Sequence, residues 1–215
     1  MHETAASQPK PARWQEKDDQ IVAAAEQVFM AHGYARASME AIACKAGVSK
    51  QTLYHHYGSK AALFGAIVDA RVERLLLPLQ VDDLERRAPK AALTTLGRQF
   101  LETVASPSSI ALHRAVVTEV PRQPELGHTT YEHGPRRALA VLADYLRNQT
   151  AVGTLRVDDP ELAAEQFYGM TLGHTQLRAL FDVEQPLTDA WIERSVAAAV
   201  DVFLAAYGRN AGSGG

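Results

Sequence analysis

The chain has 215 residues, 47% hydrophobic and 22% charged, the make-up of an ordinary globular protein of one or two domains. Its formal net charge is −3, so bulk charge advertises no polyanionic partner, and a single cysteine excludes an internal disulfide framework and suits a reducing compartment. No apolar run reaches the roughly 18 residues of a membrane span, and the N-terminus lacks an apolar signal core, so a cytoplasmic protein without membrane contact is expected.

Residues 1–14 read as a disordered polar tail containing Pro9 and Pro11. A first helix is expected from Gln15 to His32, with Ile21, Ala25, Val28 and Phe29 as its buried stripe. Arg13 and Lys17 flank its start, Gly33 ends it, and Tyr34 packs back. Two short helices follow in the stretch SMEAIACKAGVSKQTLYHHYGSK, Ser38 to Lys60. Met39, Ile42, Ala43 and Ala46 fall on one helical face, with Ser38 as N-cap and Gly47 as the left-handed stop. Ser49 caps a second helix over Lys50–Tyr57, anchored by Leu53 and Tyr57 and too short to persist alone. Lys50, Gln51, Thr52, Tyr54, His55 and His56 remain for solvent. They offer the charge, amide, hydroxyl and ring groups that reach phosphates and base edges in a major groove. The pattern is a helix-turn-helix whose second helix is the reader. The charge split agrees in sign: residues 1–60 hold seven Lys/Arg against six Asp/Glu, the remainder fifteen against nineteen. So weak a positive field implies binding through a few placed contacts. Cys44 reads as a small packing residue, since no catalytic set accompanies it.

Ser59 caps a fourth helix that continues through Leu63, Phe64, Ile67 and Val68 to about Leu76, with Pro78 marking its end. It joins head to body and is the expected transmission rod. Asp82, Asp83 and Glu85 read as a solvated linker rather than a metal cluster. Further helices are expected over Lys90–Ala105, with Leu93, Leu96, Phe100 and Leu101 inward, and over Ile110–Val120. After Pro121 and Pro124 a single long helix carries Ala138, Val141, Leu142, Tyr145 and Leu146, and Gly153 ends a segment. Asp158-Asp159-Pro160-Glu161 opens the next helix, which is expected to run through Ala163, Phe167, Met170, His174 and Leu177. A last helix starts near Leu187 with Thr188 as cap and Trp191, Ser195, Ala198, Val202 and Ala206 on one face. The fold class is all-α: a three-helix helix-turn-helix domain over 15–60 and a helical bundle over 61–208, about nine helices in all, then a flexible tail over 209–215.

The stretch AIACKAGVSKQTLYHHYGSKAALF resembles the N-terminal DNA-binding domain of the TetR family of transcriptional regulators, with A-G-V-S, T-L-Y, an aromatic or His pair, and S-K before Leu63-Phe64. The resemblance runs from about Ile21 to Phe64. It departs at Gln51, where many members carry Gly, and at Tyr57, where Phe is usual. The first substitution bears on base preference and the second is expected to be neutral for the fold. The resemblance implies a phosphate contact for Lys60, and for basic residues near the first helix such as Arg13 and Lys17. HRAVVTEVPRQPEL and LRVDDPELAAEQFYGM, within Leu112–Met170, resemble the AefR-like C-terminal domain. That likeness implies a small-molecule effector and a homodimer. The candidate DNA-contact set is Ser38, Ser49, Lys50, Gln51, Thr52, Tyr54, His55, His56 and Lys60, with Gln51, Thr52 and Lys50 as base readers and Tyr54 and Lys60 as phosphate contacts.

The residues support a dimer on their own account. Gly169 and Gly173 lie four apart, and Ala197, Ala198 and Ala199 sit in the last helix, so another helix backbone can approach. Packing of the same small residues within the chain is the competing reading. For the effector, His113, Arg114, Phe167, Met170 and His174 are the candidate contacts, because polar groups aimed into an apolar bundle orient ligands. Hydrogen bonds internal to the bundle, such as Arg114 with Glu119, are the alternative for the polar members. His128, Glu132 and His133 follow no recognised metal pattern, so no metal and no cofactor is expected. The functional expectation is a ligand-responsive regulator binding a palindromic DNA operator as a homodimer, most simply a repressor released by a small molecule, with activation left open. The rival, a helical-bundle enzyme or carrier, finds no H-E-x-x-H, G-x-S-x-G, phosphate loop or dinucleotide fingerprint.

Overall fold

A computed structural model of the chain describes residues 12–76, 86–183 and 188–209. The expectations for most of the two terminal tails, for Pro78, for the acidic stretch at Asp82–Glu85 and for a helix start at Leu187 fall outside them; residues 12–14, counted with the N-terminal tail, instead open the first helix. The described residues are helical, apart from one isolated antiparallel bridge between Leu155 and Gly208. They divide into two compact units, 1–67 and 68–215, with the division inside a single helix.

In the first unit, α1 (Ala12–Arg36) is broken at Gly33, whose φ of 73° and ψ of 164° a β-carbon would resist. The break turns Tyr34 inward. Phe29 stacks on Tyr34 at 5.4 Å, and Phe64 meets both rings edge-on at 5.4 and 5.5 Å. Around this aromatic knot lie Ile21, Ala25, Val28, Ile42, Leu53, Leu63 and Ile67, all buried. Truncating the fully buried Phe64 to Ala costs about 3–5 kcal/mol by the usual cavity rule. α2 (Met39–Ala46) and α3 (Lys50–Tyr57) follow, and then α4 (Lys60–Leu76), which contributes Leu63, Phe64 and Ile67 to this core before passing into the second unit.

The second unit continues through α5 (Pro89–Val104), α6 (Pro107–Glu119), α7 (Pro124–His133), α8 (Pro135–Ala151), α9 (Pro160–Leu172), α10 (Thr175–Phe181) and α11 (Asp189–Tyr207). Two long helices of the sequence reading are each interrupted. Gly134-Pro135 separates α7 from α8, because proline disfavours a helical residue before it and supplies no N–H. Gly173, at φ 49°, ends α9 before His174 and Leu177 are reached. These two breaks carry the helices beyond the nine expected. The core packs α5, α8, α9 and α11 around Leu93, Leu96, Leu142, Leu146, Phe167, Val196 and Phe203. Helices approach closely at Gly97, where a β-carbon would sit 3.2 Å from both Phe167 Cζ and Val196 Cγ1.

The C-terminal half of α4 is tied within this second unit. Asp69 accepts from Arg137 at 2.8 Å and pairs with His133 Nδ1 at 2.6 Å, so the α7–α8 corner grips the rod. A β-carbon on Gly134 would lie 3.0 Å from Val68 Cγ1, so this corner also packs tightly against the helix.

Candidate nucleic-acid interface and body cavity

Each helix of the pair is capped as its sequence dictates. Ala41 N donates to Ser38 Oγ at 3.1 Å, and Gly47 closes α2 at φ 64°, ψ 30°. Thr52 N donates to Ser49 Oγ at 3.0 Å, and the two hydroxyls lie 2.7 Å apart. Leu53 is fully buried and anchors α3. The Tyr57 hydroxyl donates to Asp18 Oδ1 at 2.7 Å and bolts the end of α3 to α1. Burial and Asp18 push its ionisation well above the ordinary range. The tyrosine expected to be merely neutral in place of Phe therefore adds a bond between helices.

The outer face of α3 presents Lys50, Gln51, Tyr54 and His55 to solvent, with Thr52 and His56 half-buried. Lys50 is not idle: its ammonium pairs with Glu40 on α2 and lies 5.7 Å from the Tyr54 ring centroid. The pairing holds the Glu40 carboxyl below the ordinary carboxylate value and raises that of Lys50. Cys44 is exposed on α2 rather than packed. Lys60 is placed differently from the phosphate contact that the resemblance implies. Its Nζ donates to the carbonyls of Tyr34, Ala35 and Ala37 at 2.8, 3.4 and 3.1 Å, and lies 4.4 Å from the Tyr34 ring centroid. These three carbonyls lie at the C-terminal end of α1, where no further turn supplies N–H partners, and they claim its three protons.

In the body, the five candidate effector residues are not brought together. Phe167 is fully buried core. Met170 is 37% exposed, and His174 is exposed at the start of α10, so the buried imidazole expected there is absent. For His174 the physical reason is the break at Gly173, which ends the helical register on which that stripe was counted; Met170 stays within α9 and lines a surface depression with Ala198 and Val202. His113 is exposed as a residue, although neighbouring atoms desolvate its ring enough to lower its pKa. Arg114 does not pair with Glu119. Its guanidinium donates to the carbonyls of Ala179 and Leu180 at 2.8 and 2.8 Å and caps the end of α10. Among the described residues no cluster of His, Cys, Asp or Glu could hold a metal: His133 is engaged by Asp69, and Glu132 by Arg136.

Arg114 does line a cavity of about 850 Å³ between α5, α6, α10 and α11, with Ile110, Arg178, Trp191, Ile192 and Arg194 among its walls. The sequence reading missed Trp191 and Arg194 as cavity residues. Their i, i+3 spacing on an amphipathic helix carried no sign of what α10 would bring opposite them. Beside the cavity, α9 and α11 leave a second surface uncovered. Val202 is 58% exposed and Leu162 49%, Ala197, Ala198 and Ala206 are exposed, and a β-carbon on Gly169 would touch nothing in the chain. Gly169 is thus not used for close packing within the chain, whereas Ala163 and Ala164 of α9 and Ala199 of α11 are buried inside it.

A capped helix pair with a polar reading face on one unit, and a helical body on the other, define a helix-turn-helix DNA-binding regulator. The comparisons make the class specific. Residues 21–67 match the bacterial regulatory proteins of the tetR family, and residues 91–209 match the AefR-like transcriptional repressor C-terminal domain. The chain belongs to the TetR family of transcriptional regulators. A TetR-family regulator from Mesorhizobium loti MAFF303099 superposes with a TM-score of 0.79 at 33% identity, over 93% of this chain and all of that one. The flavonoid-responsive regulator FrrA gives 0.69 at 33% identity, over 92% and 100%. Over the DNA-binding head alone, the transcriptional activator FasR of Mycolicibacterium smegmatis is 43% identical across 61 residues, 28% of each chain. Among the described residues no helix is long and apolar enough to cross a membrane.

Proposed function

We propose that this TetR-family regulator is a homodimeric, effector-responsive repressor that binds a palindromic operator. The observation that carries the reading is the exposed face of α3, with Lys50, Gln51, Tyr54 and His55 on a helix whose caps and Leu53 anchor hold it rigid. Gln51, Thr52 and Lys50 read base edges, while Tyr54, His55 and His56 meet the backbone alongside Ser38 and Ser49 at the helix starts. The uncovered α9–α11 face supports a two-fold four-helix interface. Two-fold symmetry sets the reading helices about 34–36 Å apart, one turn of duplex. An effector that prefers a dimer with a different spacing then releases DNA, by a coupling of about 1–3 kcal/mol or more. FrrA's responsiveness to flavonoids, and the effector domain shared with AefR-like proteins, favour a small organic effector. FasR is an activator, and its likeness is confined to the head, so it speaks to DNA binding and not to the sign of regulation.

Selection from random duplex DNA tests the reading. The expected result is an enriched inverted repeat with two half-sites, bound by two chains. Enrichment of a single half-site by a monomer, or of nothing by folded protein, contradicts it. Gln51→Ala in the same assay changes preference at one position per half-site, worth about 1–3 kcal/mol, and leaves nonspecific affinity intact. Uniform weakening on all sequences removes Gln51 from the reading set.

A further inference from the structure

The cavity between α5, α6, α10 and α11 has the chemistry of a receptor for an organic anion. Its volume of about 850 Å³ lies within the usual range for small-molecule sites. The lining holds three guanidinium groups, Arg114, Arg178 and Arg194, against two carboxylates, Glu102 and Asp182. Glu102 is already engaged by Arg98 at 2.8 Å. Trp191 organises two of the cations: Arg194 lies 4.8 Å and Arg178 5.9 Å from its ring. A guanidinium can grip a carboxylate with two parallel N–H bonds. Among the described residues Arg194 has no carboxylate within ion-pairing distance. The field has a further source. Ser106-Pro107 and Thr188, at the N-terminal ends of α6 and α11, line the same cavity, so two positive helix ends face it. The negative end of α10 is occupied by Arg114. Ile110, Ile192 and Ala179 supply an apolar wall for the body of a ligand.

The geometry points to this cavity as the binding site for a planar organic acid, its carboxylate held by Arg194 and its ring laid along the Ile110–Ile192 wall. The assignment rests on the effector-responsive reading for its regulatory meaning, though not for binding itself. Trp191 and Arg194 also line the shallow depression formed with Met170, Ala198 and Val202 on the uncovered α9–α11 face. A ligand that moves these two side chains therefore acts directly on the surface proposed to join two chains.

The test is calorimetric titration of the full chain with 2-naphthoate and with its neutral isostere, 2-naphthamide. The carboxylate is expected to bind about tenfold or more tightly than the amide, and Arg194→Gln to remove most of that difference. Sedimentation of Arg194→Gln at the wild-type mass separates loss of the carboxylate contact from a change in the proposed interface. Equal binding of acid and amide, absence of binding by either, or unchanged carboxylate affinity in Arg194→Gln overturns the assignment. Operator binding measured with and without 2-naphthoate separates the two readings. Carboxylate-selective binding that leaves DNA affinity unchanged upholds the anion site and counts against its being the effector site. Operator binding that persists while the acid and amide bind alike overturns the site and leaves the DNA-binding reading standing.

Discussion

Glu40 is the residue that most directly sets the resting state of the reading face. It holds Lys50 across the turn, with both side chains more than half exposed, so the pair adds little stability but occupies the one lysine of α3. A base edge must displace this carboxylate to reach the ammonium. Glu40→Gln is therefore expected to raise affinity for the operator more than for random duplex. Electrophoretic mobility shifts on the two duplexes check this, and an equal gain on both would place Lys50 at the phosphate backbone instead. The same pair carries a pH signature. The Glu40 pKa is lowered in the fold, so its contribution is present above the unfolded carboxylate value and fades as pH falls through the folded one. Glu40→Gln accordingly flattens that part of the acid unfolding limb. Deep in the body the opposite situation holds at Tyr145, whose hydroxyl is buried without a hydrogen-bond partner among the described residues and whose pKa burial pushes up to about 12. An unpaired buried hydroxyl costs about 1–3 kcal/mol. Tyr145→Phe is expected to raise the thermal midpoint, whereas a lowered midpoint in a calorimetric scan would mean that the hydroxyl has a partner in solution.

Among the elements, α4 is the one on which both units depend. Its first turn carries Lys60 against the stranded carbonyls of Tyr34, Ala35 and Ala37, and its second half carries Asp69 against His133 and Arg137. Lys60→Ala leaves those carbonyls to water and is expected to cost about 1–3 kcal/mol of stability in denaturant unfolding. If Lys60 met phosphate instead, the variant would keep its stability and lose slope in the salt series. The two measurements together assign the residue. α3 illustrates the complementary case of an element with almost no stability of its own. Eight residues cannot hold a helix in water, and α3 persists because Leu53 is buried, Ser49 caps its start and Tyr57 ties its end to Asp18.

For the whole molecule, the proposal that two chains act together turns on the α9–α11 face. Val202 is 58% exposed there, beside exposed alanines and an open Gly169. A charge at such a position is tolerated by a monomer and not by an interface whose core is dry. Val202→Glu is expected to leave the unfolding transition of the single chain intact, to halve the mass seen in sedimentation, and to weaken operator binding at least about tenfold through loss of the second half-site. A variant that sediments as the wild type places the interface elsewhere.

The helix-turn-helix was legible in the residues alone because its signals are local. A cap at Ser38, a left-handed stop at Gly47, a second cap at Ser49 and an apolar residue at Leu53 each act within one turn of chain. The all-α class and most helix starts were legible for the same reason, as at Asp159 and Thr188. Tertiary structure decided what depends on neighbours distant in sequence. It took Lys60 to the carbonyls at the end of α1, and Arg114 to the end of α10, 65 residues away. It exposed His174 by ending α9 at Gly173, left Met170 on the α9–α11 surface, and gathered Arg114, Arg178, Trp191 and Arg194 around one cavity. A long cationic side chain has several possible partners within reach of its stem. Which partner it takes is set by where packing places the other helices, and local periodicity does not encode that placement.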